Sequence, residues 1–190
     1  MRDLVQAVGR AKAIVDNGLC RVGPRLSPDD VQAAVLTGAA SRALALSDAV
    51  VGLCGRDHPG EALALVRQLA ETAVELRWVA ADPVRAGEAA AALAAPSWQG
   101  LWPEARFKAR ALAAGVPERD VSETLAFAAD FLAGNRAGAP WSHVFAVNLR
   151  PAPEASRVLA LTVRLMGHVV AGLETRWPGI FPGAEELWAS

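Results

Sequence analysis

Pro59–Ala81 reads PGEALALVRQLAETAVELRWVAA, and this stretch decides the fold. Leu65, Leu69, Ala73 and Leu76 recur at intervals of three and four, the period of a helix with one apolar face. Pro59 suits a first helical position, and Asp82-Pro83 stops the run. At 1.5 Å per residue the stretch predicts a rod of about 34 Å. A second arc carries Arg67, Glu71, Glu75 and Trp78. A solvated face with intrahelical ion pairs is the plain reading of that arc. The large aromatic among the charges argues instead for a semi-buried polar pocket between helices.

Upstream, Ser27-Pro28-Asp29-Asp30 has the form of a helix start: a capping Ser, Pro at the first position and acids in the first turn. The helix it opens runs to about Cys54, and residues 55–58 form a short connection. A connection this short predicts antiparallel neighbours. At 100° per residue, Val31, Val35, Leu46, Ala49 and Leu53 share an arc with Arg42 in its middle. A buried guanidinium keeps its charge, so the hairpin predicts an Arg42–Glu71 or Arg42–Glu75 pair inside the molecule.

The same reading places helices at 3–16, at 84–95, from Pro103 to about Gly115, at 118–133, near 141–149 and at 154–176. Gly18 to Pro24 reads as loop, and the tail becomes irregular from about 178. No alternating strand pattern or internal repeat appears. The expected architecture is all-α: one domain over residues 1–190, a bundle of four long helices with shorter connecting ones. Ala supplies 41 of the 190 residues and Ile only 2, which favours helix over strand.

A formal charge of -1 excludes a broad footprint for duplex nucleic acid. Cys20 and Cys54 lack metal-ligand spacing and imply no disulfide framework, so a reduced cytoplasm is expected. The N-terminus does not read as a signal peptide, and no stretch of about 18 apolar residues escapes charge, Pro or Gly. No membrane partner is expected.

On the last long helix, Arg157, Arg164, His168 and Thr175 form a polar stripe beside Ala160, Gly167 and Ala171. The stripe reads as solvated, as a dimer seam, or as the wall of a polar site with His168 as proton carrier. Trp98, Leu101 and Trp102 are expected to plug one end of the bundle, and the apolar tail through Trp188 to pack back on the domain or a second subunit. His58, His143 and His168 complete no Glu-x-x-His pattern with Glu71 or Glu75, so neither metal nor cofactor is expected.

Leu65-x-Arg67-x-Leu69-x-Glu71 followed by Leu76-x-Trp78 resembles the hallmark helix of a group of uncharacterised bacterial all-helical proteins. Their later aromatic–Ser–His region resembles Trp141-Ser142-His143, with Asn148 as the other candidate for the His position. The resemblance covers roughly 50–150 and implies a helical bundle. The interval from Arg136 to His143 also resembles the active-site motif of HEPN ribonucleases, which implies metal-free RNA cleavage across a dimer, with Arg136 stabilising a phosphorane and His143 moving a proton. Ala137, Gly138 and Pro140 depart from that motif.

The leading expectation is a homodimeric bundle that binds a small molecule or a protein partner at a polar site formed by Arg42, Arg67, Glu75, Trp78 and Arg164. One alternative is a ribonuclease using Arg136 and His143, with RNA as partner. Another is a cofactor-free enzyme in which Glu71 or Glu75 works with His143 or His168 as acid and base.

Overall fold

The computed structural model describes residues 1–94, 102–136 and 154–188. Among these there are eight α-helices and no strand: α1 (Arg2–Val22), α2 (Val31–Gly55), α3 (Pro59–Ala80), α4 (Val84–Ala94), α5 (Glu104–Ala113), α6 (Glu118–Arg136), α7 (Ala155–Arg176) and α8 (Ala184–Trp188). The all-α expectation therefore holds. The short helix expected near 141–149 lies outside the described residues.

Two boundaries moved for local reasons. The helix expected to end at residue 16 continues through Gly18 to Val22. Gly18 acts there as a notch in the helix surface rather than as a breaker: the ring of Phe181, from the C-terminal tail, lies where a side chain at 18 would be. Ser27 does not cap α2. Its hydroxyl accepts from the Asp29 amide in a turn, and Asp30 caps instead, its carboxylate accepting from the Ala33 amide at 2.9 Å.

The α2–α3 hairpin turns through residues 56–58, where Asp57 takes a left-handed φ of 63°. The His58 amide donates to the Leu53 carbonyl at 2.9 Å. α3 is the central rod, packed by α2, α4, α5, α6 and α7. It is buried nearly all round, which is why its polar arc is enclosed rather than solvated. α7 is the second core rod, burying residues from Val158 through Leu173. α2 and α7 are long and apolar enough to cross a membrane by length and composition alone, and most of α7 is covered by its neighbours here.

Two expectations are corrected. Arg42 is exposed, and its guanidinium donates to Gln68 Oε1 at 3.1 Å rather than to Glu71 or Glu75. α2 buries Gln32, Ala33, Val35, Leu36, Ala40, Ala43, Leu46, Ser47, Val50 and Cys54, an arc that keeps Val35 and Leu46 of the expected one but is centred roughly a quarter of a revolution away. Gln68 lies three residues before Glu71 on α3, so the two helices do meet near Arg42, but the guanidinium sits on the outer side of the seam. Nor is the small-residue stripe of α7 free at Gly167, although Ala160 and Ala171 are partly exposed. Gly167 is covered by the Trp188 indole, whose Nε1 would stand 2.6 Å from an added Cβ. The tail folds back on its own domain: Phe181 and Leu187 are buried, and Glu174 accepts the amides of Gly179 and Phe181 at 2.6 and 2.7 Å.

α3 and α7 approach closely at Gly172. A Cβ there would collide with Leu76 Cδ2 and stand 3.3 Å from the Arg77 Cα. Gly172→Ala should therefore destabilise the protein by about 1–3 kcal/mol in urea denaturation, although Ala improves helix propensity by about 1 kcal/mol. An unchanged or raised midpoint would contradict this close approach.

Candidate functional site

The polar arc of α3 is roofed by α5 and by Trp102, which precedes it. Arg67 is 3 % exposed. Its guanidinium reaches Glu71 Oε1 at 3.0 Å, donates to the Trp102 carbonyl at 3.0 Å and lies 4.0 Å from the centre of the Phe107 ring. Glu71 Oε1 also accepts the Trp102 amide at 2.8 Å, so one Arg–Glu pair one turn apart grips both backbone polar groups of Trp102. One turn further along, Glu75 accepts from Arg110 of α5 at 3.1 Å, and Arg110 also reaches Glu88 of α4 at 2.5 Å. Burial pushes the Glu71 and Glu75 carboxyls above the usual glutamate range, and the neighbouring guanidinium groups offset that only in part.

Trp102 therefore covers the side of α3 instead of plugging an end; Trp98 and Leu101 lie outside the described residues. The aromatic and guanidinium groups form an alternating stack. Arg110 lies between the Trp78 ring at 4.1 Å and the Trp102 ring at 4.8 Å. Arg85 covers the Trp78 ring at 5.2 Å, and Arg106 covers the Trp102 ring at 5.1 Å. Such contacts contribute about 0.5–2 kcal/mol each, more when desolvated.

A second cluster joins α3, α6 and α7. Asp120 and His168 are 1 % and 2 % exposed. His168 Nδ1 stands 3.1 Å from Arg77 NH1. A guanidinium only donates, so Nδ1 accepts and the ring proton lies on Nε2, where it reaches Asp120 Oδ2 at 2.9 Å. The other oxygen of Asp120 accepts from Arg164 Nε at 2.8 Å, and Arg164 also pairs with Glu123. Burial pushes the Asp120 carboxyl up, but the hydrogen bonds from His168 and Arg164 outweigh it and hold the group below the usual aspartate range. The Trp188 ring packs on His168 with centroids 5.6 Å apart.

The structure thus brings Arg67, Glu71, Glu75 and Trp78 into one cluster and Arg164 and His168 into another. Arg42 joins neither. The two clusters occupy different sides of α3: Arg77, the contact of the second, lies roughly 115° around the helix from the first arc. Glu71 and Glu75 are therefore not paired with His168. Arg136 is the last residue of α6, and its side chain and His143 lie outside the described residues. Asp120, Arg110 and Arg77 escaped the sequence reading. Asp120 has the look of an ordinary first-turn acid, and no spacing announces its partners more than forty residues away. Among the described residues no group of three His, Cys, Asp or Glu side chains is arranged to hold a metal ion. An open cleft of about 750 Å³ lies where the ends of α2, α3 and α7 meet, lined by Asp30, Gln32, Thr175 and Arg176 among others; Thr175 belongs to the polar stripe of α7, while Arg42, Arg67, Glu71, Glu75, Trp78, Arg164 and His168 do not line it.

A family model described as a family of unknown function (DUF5677) matches residues 33–115. That segment runs from the first turn of α2 to the turn after α5. It contains the whole Arg67–Glu71–Glu75–Arg110 cluster but not Asp120, Arg164 or His168. The chain matches no curated protein and no solved structure.

Asp120→Ala should destabilise the protein by about 3–5 kcal/mol in urea, because it strips the acid from a buried pair; a loss within experimental error would remove the second cluster from the framework. The raised carboxyl of Glu71 sets a pH dependence. The folded state binds its proton more readily than the unfolded state, so this group's contribution to stability increases as pH falls from neutrality toward the ordinary glutamate value of about 4.3. The melting-temperature advantage of the wild type over Glu71→Gln should widen over that interval. A gap that narrows on acidification would contradict the assignment.

Proposed function

We propose that the chain is a binding protein rather than a catalyst: a bundle framed by α1, α2, α3 and α7, with α4, α5 and α6 fastened to it by internal charge clusters. One observation carries this reading. Among the described residues, the candidate acid–base groups His168 and Glu71 are each engaged by neighbouring protein groups. Both ring nitrogens of His168 are hydrogen-bonded, and one oxygen of Glu71 accepts from both Arg67 and Trp102. A general base must reach a substrate proton, and His168 has no ring nitrogen left to do so. The clusters act as architecture, and they present the surrounding helix ends and turns to a small molecule or protein partner. The resemblance of the Leu65–Trp78 stretch to bacterial all-helical proteins supports a framework of this kind, and the two free cysteines, Cys20 and Cys54, suit a reduced cytoplasm.

Two measurements test the reading. RNA incubated with the protein in EDTA should stay intact; cleavage that disappears in His143→Ala would overturn it in favour of the ribonuclease. In a thermal-shift screen of small polar metabolites and peptides, at least one compound should raise the melting temperature in a saturable way and be recovered chemically unchanged. A compound that is turned over, with turnover lost in Glu71→Gln, would establish the acid–base enzyme instead.

A further inference from the structure

The buried and half-buried arginines of the described residues are compensated, with one exception. Arg67, Arg85, Arg110, Arg164 and Arg176 each reach a carboxylate within 4.0 Å. Arg106 lies on the Trp102 ring, and Glu75 feels its charge. Among the described residues Arg77 has neither kind of partner. It is half-buried, and its one hydrogen bond runs from NH1 to a ring nitrogen of His168. Burial pulls its ionisation below the usual arginine value, and no carboxylate among the described residues opposes the shift. A guanidinium does not discharge under such pressure, so it remains a cation in want of a counter-charge.

The geometry holds this cation in place. Its stem crosses α7 at Gly172, where Arg77 Cγ would stand 3.2 Å from an added Cβ. Its NH1 is fixed by His168, His168 by Asp120, and Asp120 by Arg164. Nε and NH2 carry no hydrogen bond to the described residues, and the side chain as a whole is only half-buried. NH2 faces the α5–α6 turn at Gly115, where the backbone takes φ +65° and a Cβ would come within 3.5 Å of it. Nε and NH2 form one edge of the guanidinium fork, the edge that takes two oxygens of an oxyanion side by side.

We propose that Arg77, beside the Gly115 turn, binds the oxyanion of a small ligand, a phosphate or carboxylate group held through Nε and NH2. The proposal rests on the binding reading above and names the ligand chemistry. The anion supplies the missing counter-charge. The Asp120–His168 relay keeps the fork oriented before the ligand arrives, which lowers the ordering required on binding. Gly115 keeps the approach to NH2 free of a side chain.

The test titrates the full-length protein with inorganic phosphate and separately with acetate, at constant ionic strength, against Arg77→Gln and Arg85→Gln. Arg85 is the control, since it already has Asp82. The wild type and Arg85→Gln should show a saturable rise in melting temperature, roughly 5–11 °C at a hundredfold excess over Kd. Arg77→Gln should lose it, leaving only the unsaturable effect of salt. The ¹⁵N resonance of His168 Nδ1 should shift on titration, reporting the anion at its neighbour. Phosphate acting alone assigns a phosphoryl ligand, and acetate acting alone a carboxylate. Arg77→Lys, which keeps the charge but not the fork, should bind at least tenfold more weakly. Equal responses in wild type and Arg77→Gln, or no response up to tens of millimolar of either anion, would overturn the oxyanion site. If the metabolite screen still yields an unaltered ligand in that case, the binding reading stands without this site; if it yields none, both fall.

Discussion

Arg67 is almost fully enclosed on the central helix, and a guanidinium cannot shed its charge to suit an apolar interior. Much of the surrounding structure answers that constraint. Glu71 supplies the counter-charge from one turn away, Trp102 supplies a carbonyl, and Phe107 supplies an aromatic face. Because Trp102 and Phe107 belong to the segment around α5, satisfying Arg67 also docks that helix. Arg110 then repeats the arrangement one layer along, using Glu75, Glu88 and two indoles. Any approach of water to the pair would weaken it, so the roof and the ion pairs depend on each other.

The second cluster does for α6 what the first does for α5. Asp120, in the first turn of α6, accepts from His168 and Arg164 of α7, and the tail closes over the ring with Trp188. Placing a buried acid at a helix N-terminus is favourable in its own right, because the helix dipole and the two donors act in the same sense. The two clusters differ in their carboxyls. Glu71 and Glu75 are raised by burial, whereas Asp120 is held down by its donors. This contrast separates an acid enclosed at an electrostatic penalty from one whose partners more than compensate for its enclosure.

Helix starts and stops were legible where local chemistry acts alone. Pro59, Asp82-Pro83 and Pro103 bound their helices within a residue or two of the expected positions. The polar arc of α3 was also legible, since Trp78 among charges signals cover, and Arg67, Glu71, Glu75 and Trp78 do meet under one roof. The cap of α2 was misplaced because Ser27 and Asp30 compete for the same role and differ by one turn. The rotation of α2 was misjudged because the helix is apolar over most of its circumference, so no single arc stands out. Arg42 consequently looked central and proved peripheral.

By itself the chain determined the all-helical class, most element limits, the α2–α3 hairpin and the enclosed arc of α3. These follow from capping, proline geometry and short connections, which act over a few residues. Only tertiary packing decided which face of α2 turns inward, that Asp120 finds His168 and Arg164, and that Arg77 is left with an imidazole and no acid among the described residues. Those outcomes depend on how rods separated by tens of residues are rotated against one another, and close packing at single small residues such as Gly172 sets that rotation.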